Sequence, residues 1–320
     1  MSRLAAAAAV CLLATVPLWV ANGYYVNIVS QILIYAIFAL GLNVMVGYAG
    51  LVSLGHAGVF GVAGYAAAWL VAAGVGQFPA ALGALAAILL TSAGFAVLSL
   101  RAAGIGFLMI TLAIGQILWG LAYRWIGLTG GDNGISLSAR PQPFGISLAP
   151  AAPFYYFTLI VFVLAVVSMA VLVASPLGAS IKGTRDQPRR MTALGYNVWL
   201  VRFLAFLFSG FWSGVAGLLF CYYNQFVSPN VLALGSSAEV LLMVISGGSG
   251  TLLGPIAGAA LVVVMKNLAS AYIERWNFVL GAIFVAIVVF MPEGLVPGSA
   301  RLGRWLWARL RGVPAAGGAR

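Results

Sequence analysis

KGTRDQPRRMTALGYNVWLVR, residues 182–202, is a polar island between two apolar runs, 154–174 and 202–222. It holds five of the chain's 16 Lys and Arg residues and one of its five acids, Asp186. A stretch this polar stands out in a chain of mean hydropathy +1.08. Only 7% of the 320 residues are charged and 63% are hydrophobic, whereas a soluble domain carries roughly 25% charge. Most of the surface must face lipid, so the expected fold is an all-α polytopic membrane protein. A polar loop held between spans is placed to touch something on one side of the bilayer.

Outward from the island, apolar runs approaching the roughly 20 residues a span needs recur near 4–20, 26–46, 57–76, 80–100, 105–124, 154–174, 202–222, 233–249, 253–273 and 276–292. That predicts about ten transmembrane helices. The glycine-rich stretches 47–64 and 247–258 blur boundaries and suit broken or re-entrant backbone, which protein or a cavity must surround. Run 4–20 could be a signal peptide. Its cleavage signature is weak and further spans follow, so a retained first helix is expected. Cys11 and Cys221 lie in apolar runs and read as small buried hydrophobes.

Cytoplasmic loops are enriched in Lys and Arg. With Arg3 inside, ten spans put Arg101, the island and the tail cations Arg301, Arg304, Arg309, Arg311 and Arg320 on one side. Arg124 and Arg140 fall on the other side, in or beside the longest external segment, 125–153. Both termini are therefore expected in the cytoplasm. Residues 1–300 read as the membrane domain, with 182–202 as its cytoplasmic loop. Residues 301–320 form a basic tail that interleaves cations with Leu and Trp, as suits contact with anionic membrane lipid.

Several function classes are excluded. A net charge of +11 does not imply nucleic acid, because the cations are sparse and sit between spans. The only lysines, Lys182 and Lys266, are followed by Gly183 and Asn267, so there is no G-x-x-x-x-G-K-[ST] phosphate loop. One histidine and five dispersed acids give no metal cluster, acid/base pair or Ser-His-Asp set, and the chain is not expected to be an enzyme.

Some residues admit two readings. GLVSLGHAGVFGVAGYAAA (50–68) suits tight helix packing or the wall of a transport pathway, with Gly50, Ser53 and Gly55 as candidates. His56 reads as a hydrogen-bonded structural histidine or a proton relay. Glu239 is an interfacial acid, a pathway residue, or the partner of a cation on a neighbouring helix. Gln116 and Thr111 suit helix–helix hydrogen bonding or solute contact. GLTGGDNG (127–134) suits a surface turn or contact with an external partner. Gly47-Tyr-Ala-Gly50 and Gly247-Gly248-Ser-Gly250 each join one predicted span to the next on the same side, which suggests an internal repeat, and Gly247 and Gly248 are further candidates for the pathway.

Together these residues resemble the permease subunits of ABC importers for branched-chain amino acids, of the LivM type. The resemblance covers about residues 33–297. It rests on five blocks in order: GLNVMVGYAGLVSLGHAGVFGVAGYAAA (41–68), LTGGDNGI (128–135), the island, SGGSGTLLGPIAGA (246–259) and MPEGL (291–295). It implies that the island docks on a separate ATP-binding subunit through Arg185, Asp186, Arg189, Arg190, Ala193, Leu194 and Gly195. It further implies a homologous second permease, two cytoplasmic ATP-binding subunits that hold the ATP, and a solute-binding protein on the 125–153 side. The chain itself would need no cofactor and would sit in a bacterial inner membrane. Relatives for urea, short amides or aromatic acids look similar. A stand-alone secondary transporter or channel is the competing class. Three positions depart from the family pattern: Arg189-Arg190 where acids are frequent, Leu51 where Gln is common, and Gln116 where Glu is common.

Overall fold

The computed structural model describes residues 11–17, 19, 22–137, 140, 147–272, 276–291, 294–296 and 298. Most of run 4–20, Glu274, Arg275, Glu293 and the basic tail lie outside the described residues.

Helix α1, Gly23–Asn43, starts where the Asn22 side chain accepts the Tyr24 N–H at 3.0 Å. It widens into a π-helical turn, Val44–Tyr48. Gly50, at φ +69°, then turns the chain in a region open to glycine at no steric cost. Helices α2 (His56–Ala72), α3 (Gln77–Ser99), α4 (Ile105–Arg124) and α5 (Ala151–Ala174) follow. The island forms two short helices, α6 (Pro176–Asp186) and α7 (Pro188–Ala193). Helices α8 (Val198–Asn224), α9 (Leu234–Gly247), α10 (Gly254–Tyr272) and α11 (Trp276–Phe290) complete the order.

Five of these are long and apolar enough to cross a membrane: α1 with its π-turn, α3, α4, α5 and α8. Helices α2 and α9 are apolar but shorter. Burial separates centre from rim. The apolar windows of α1 and α8 are 72% and 61% buried, against 22–28% for α3, α4 and α5. The first two form the axis of the bundle, and the other three turn most of their surface outward.

Small residues set how closely α8 meets its neighbours. Ser209-Gly210, Ser213-Gly214 and Ala216-Gly217 recur at helical spacing. A methyl on Gly217 would overlap the Phe60 carbonyl of α2, and one on Gly210 would overlap Ser92 of α3. On α1, a methyl on Gly41 would stand 2.7 Å from Ser213 Oγ. In membranes helices gain little from hydrophobic exclusion, so close backbone packing supplies the attraction. This stripe drew no attention in the sequence, where 50–68 was the obvious small-residue run.

Residues 126–137 fold back on the bundle end opposite the island. Ile135 and Ser136 pair antiparallel with Val227 and Phe226. Gly130, Gly131 and Gly134 all have positive φ, which accounts for the glycines of the 127–134 turn. Arg140 stacks 4.8 Å over the Phe154 ring and donates to the carbonyls of Ala149 and Tyr223, both at 3.2 Å. Burial lowers its pKa below the ordinary arginine value.

Candidate functional site

Asn43 interrupts an otherwise apolar run and is 1% exposed. Its amide spans the two glycine-rich segments. Nδ2 donates to the Thr251 carbonyl at 2.8 Å, and Oδ1 accepts the Gly250 N–H at 2.9 Å. Gly47 lies against Gly250 so closely that a methyl on it would overlap the Gly250 nitrogen. Thr251 Oγ1 accepts the Gly254 N–H at 3.0 Å and donates to the Gly248 carbonyl at 2.9 Å, which closes the loop into α10. The broken backbone is thus sheathed by protein. Asn43→Ala would leave two inward-facing backbone groups unpaired, at about 1–3 kcal/mol for each. Its unfolding temperature in detergent is expected to drop clearly, and an unchanged value would refute this account.

The island packs on the same junction. Ser175 caps α6 by accepting the Gly178 N–H at 3.2 Å, with Pro176 in the first turn. Ile181 and Thr184 are buried. The neighbouring positions carry charge. The Arg185 guanidinium donates to the Gly47 carbonyl, and Lys182 Nζ sits 5.6 Å from the centre of the Tyr48 ring. The stem of Arg185 covers Gly50, where a methyl would stand 2.8 Å from Arg185 Cγ. Arg202 of α8 donates to the Thr184 carbonyl at 3.3 Å. A cavity of about 380 Å³ opens here, lined by Gly47, Tyr48, Lys182, Arg185, Asp186 and Gly250 among others. The Arg185–Asp186 pair, 3.9 Å apart and half exposed or more, adds little stability.

Helix α7 has no buried residue. Arg189, Arg190, Ala193 and Leu194 are all exposed, Leu194 at 72%. The helix ends in a Schellman arrangement: Tyr196 N–H bonds the Met191 carbonyl and Gly195 N–H the Thr192 carbonyl, both at 3.0 Å. Gly195 takes φ +87° with open space around it, the geometry that favours glycine there. Four of the five sequence blocks converge at this end. The last of them, MPEGL, joins through Gly294, where a methyl would overlap Gly248.

Ser53 and His56 lie deeper, 1% and 0% exposed. His56 Nδ1 is 2.8 Å from Ser53 Oγ, and Nε2 is 2.8 Å from Ser209 Oγ. Ser209 donates its own proton to the Gly41 carbonyl at 2.6 Å. Its oxygen must therefore accept from Nε2–H, which leaves Nδ1 to accept from Ser53. The network closes around a neutral Nε2–H imidazole that ties α1, α2 and α8 together. Gly55 packs on the Thr111 carbonyl, 2.5 Å from where its methyl would be. Thr111 Oγ1 accepts the Leu54 N–H at 3.3 Å. Gln116 is half-buried on α4, one residue past the Gly115–Gly55 contact.

Glu239 pairs with a cation on a neighbouring helix. Lys266 Nζ of α10 donates to both carboxylate oxygens, at 3.1 and 3.2 Å. Beside it Asn267 Nδ2 donates to Gln31 Oε1 of α1 at 3.2 Å. From sequence Asn43, Ser209 and Gln31 are not marked as site residues, and Lys266 and Asn267 enter only against a phosphate loop. Isolated polar residues inside apolar runs are the available signal, but nothing in a run says what each will meet.

Apolar spanning helices, a buried two-helix axis and one charged end together define a polytopic helical membrane protein. The chain belongs to the family described as branched-chain amino acid transport system, permease component, which residues 24–288 match. It is 31% identical to the high-affinity branched-chain amino acid transport system permease protein LivM of Salmonella typhimurium, over 88% of this chain and 72% of that protein. It is 22% identical to LivH of Escherichia coli, with 82% and 91% covered. The autoinducer 2 import system permease protein LsrC of Salmonella paratyphi B is 26% identical over 57% of this chain. No solved structure matches the chain.

Proposed function

We propose that this permease imports branched-chain amino acids, driven by ATP that separate subunits hydrolyse. The observation that carries the reading is the LivM likeness along most of the chain. The proposal includes a ten-span topology with both termini cytoplasmic and a bacterial inner-membrane location. The membrane domain of this reading runs over 1–300. A homologous second permease completes the pathway. The likeness to both LivM and LivH proteins supports such a pairing. A solute-binding protein meets the 125–153 end.

In this reading α7 enters a groove on an ATP-binding subunit, and Leu194 and Tyr196 supply apolar contacts. Both are exposed, at 72% and 47%. Arg189 and Arg190 then meet an acidic surface. Motion of the ATPase passes through α6 to Gly47 by way of Arg185, since that side chain touches both. The weaker LsrC likeness supports a different solute as the second reading, with the same coupling.

The test is co-purification of an ATP-binding subunit, then leucine uptake into proteoliposomes carrying the whole transporter. Gly195→Val forces a β-branched residue into left-handed backbone at a cost of about 1–2 kcal/mol. It is expected to weaken subunit capture and cut uptake severalfold while the membrane domain stays folded. Unchanged capture and uptake would overturn the docking role. Uptake of autoinducer 2 in place of leucine would favour the second reading.

A further inference from the structure

Four polar side chains join α1, α9 and α10: Gln31, Glu239, Lys266 and Asn267. Asn27 and Gln31 are four residues apart, so they lie on one stripe of α1. Asn267 reaches Gln31 across to α1, and Lys266 reaches Glu239 across to α9. The Asn27 Oδ1 atom is buried without a hydrogen-bond partner.

The depth of this group follows from helix rise. Glu239 precedes Gly247 by eight residues and Lys266 follows Gly254 by twelve. At 1.5 Å per residue these are about 12 and 18 Å from the glycine junction, near the middle of a roughly 30 Å hydrocarbon core. Yet the Lys266 and Glu239 side chains keep 32% and 17% of their surface open. Charge at that depth does not face lipid; it faces a bundle interior or a water-filled cavity.

We propose that Glu239 and Lys266 form a transit site for the zwitterionic head of an α-amino acid, an inference that rests on the importer reading above. The pair presents a carboxylate beside an ammonium. An α-amino acid carries the complementary ammonium and carboxylate on one carbon. It can therefore replace the internal pair with two charge-assisted hydrogen bonds, its ammonium on Glu239 and its carboxylate on Lys266. Neither protein charge is left bare during the exchange, which removes the large penalty of breaking a buried pair. Because one pair replaces another, the site holds solute weakly enough to release it. The amides of Gln31 and Asn267 lie beside the pair.

The test uses the whole transporter in proteoliposomes, with its solute-binding protein and leucine as the probe. Glu239→Gln is expected to lower uptake at least tenfold, while hydrolysis stimulated by the loaded binding protein stays within twofold. The exchanged pair E239K/K266E is expected to stay equally low, because the solute would meet its charges in reversed order. An internal brace would behave differently: recovery of more than half the wild-type uptake in the exchanged pair overturns the proposal. So does a fall in hydrolysis that matches the fall in uptake. Should Glu239→Gln fail to co-purify with its partners, Glu239→Asp keeps the charge and shortens the reach. It is expected to raise KM for leucine at least fivefold, and an unchanged KM refutes the site. A wild-type transporter that takes up no leucine overturns the importer reading and this inference together.

Discussion

Gly247→Ala is expected to leave almost no folded permease in the membrane. Gly247 ends α9 where that helix crosses the start of α10. A methyl there would overlap the Gly254 carbonyl and stand 3.1 Å from the Gly258 nitrogen. Backbone, unlike the tip of a side chain, has little room to give. Moving it would also disturb Gly248, Gly250 and Thr251, and with them both hydrogen bonds of Asn43. Overpacking usually costs 1–3 kcal/mol, and a clash with two backbone segments is expected to exceed about 3. Gly235 is the control. It lies on the same helix with open space around it, so Gly235→Ala is expected to be neutral or to stabilise by up to about 1 kcal/mol. Size-exclusion yield and unfolding temperature in detergent read both. A Gly247→Ala protein with wild-type yield and melting would refute the tight crossing.

The second large effect concerns His56. Removing the ring by His56→Ala leaves Ser53 without one partner and opens space among α1, α2 and α8. A loss of about 2–4 kcal/mol is expected, read as a lower unfolding temperature. His56→Gln keeps two hydrogen-bonding groups and is expected to recover part of that loss. Leucine uptake per folded transporter is expected to change less than twofold in the Gln variant. A proton relay would give the opposite pattern, with normal melting and uptake lost at every pH. The neutral tautomer argues for the brace, because both ring nitrogens are already engaged by serine hydroxyls.

The match between sequence and structure differs from element to element for physical reasons. Run 105–124 coincides with α4, Ile105–Arg124, because Gly104 and Arg124 mark its ends chemically. The predicted 202–222 is α8, Val198–Asn224. Its first turn, Val198–Val201, is apolar and capped by Asn197 accepting the Leu200 N–H, but Arg202 follows it and ties it to the polar island in the sequence. Run 26–46 hid the π-turn at 44–48, since composition does not record helix winding. Glu239 could be read three ways from sequence. Its partner is 27 residues distant on the next helix, and only packing chooses among them.

Composition and order of residues by themselves determined that this chain is a helical membrane protein and which family it joins. Those properties depend on hydropathy and local pattern, which each segment carries alone. Tertiary structure decided which polar residues meet: Asn43 with Gly250, His56 with Ser209, Arg185 with Gly47 and Glu239 with Lys266. In an apolar bundle each polar group must find a partner. Which partner it finds depends on how closely glycines let the helices approach, and that is a property of the folded chain.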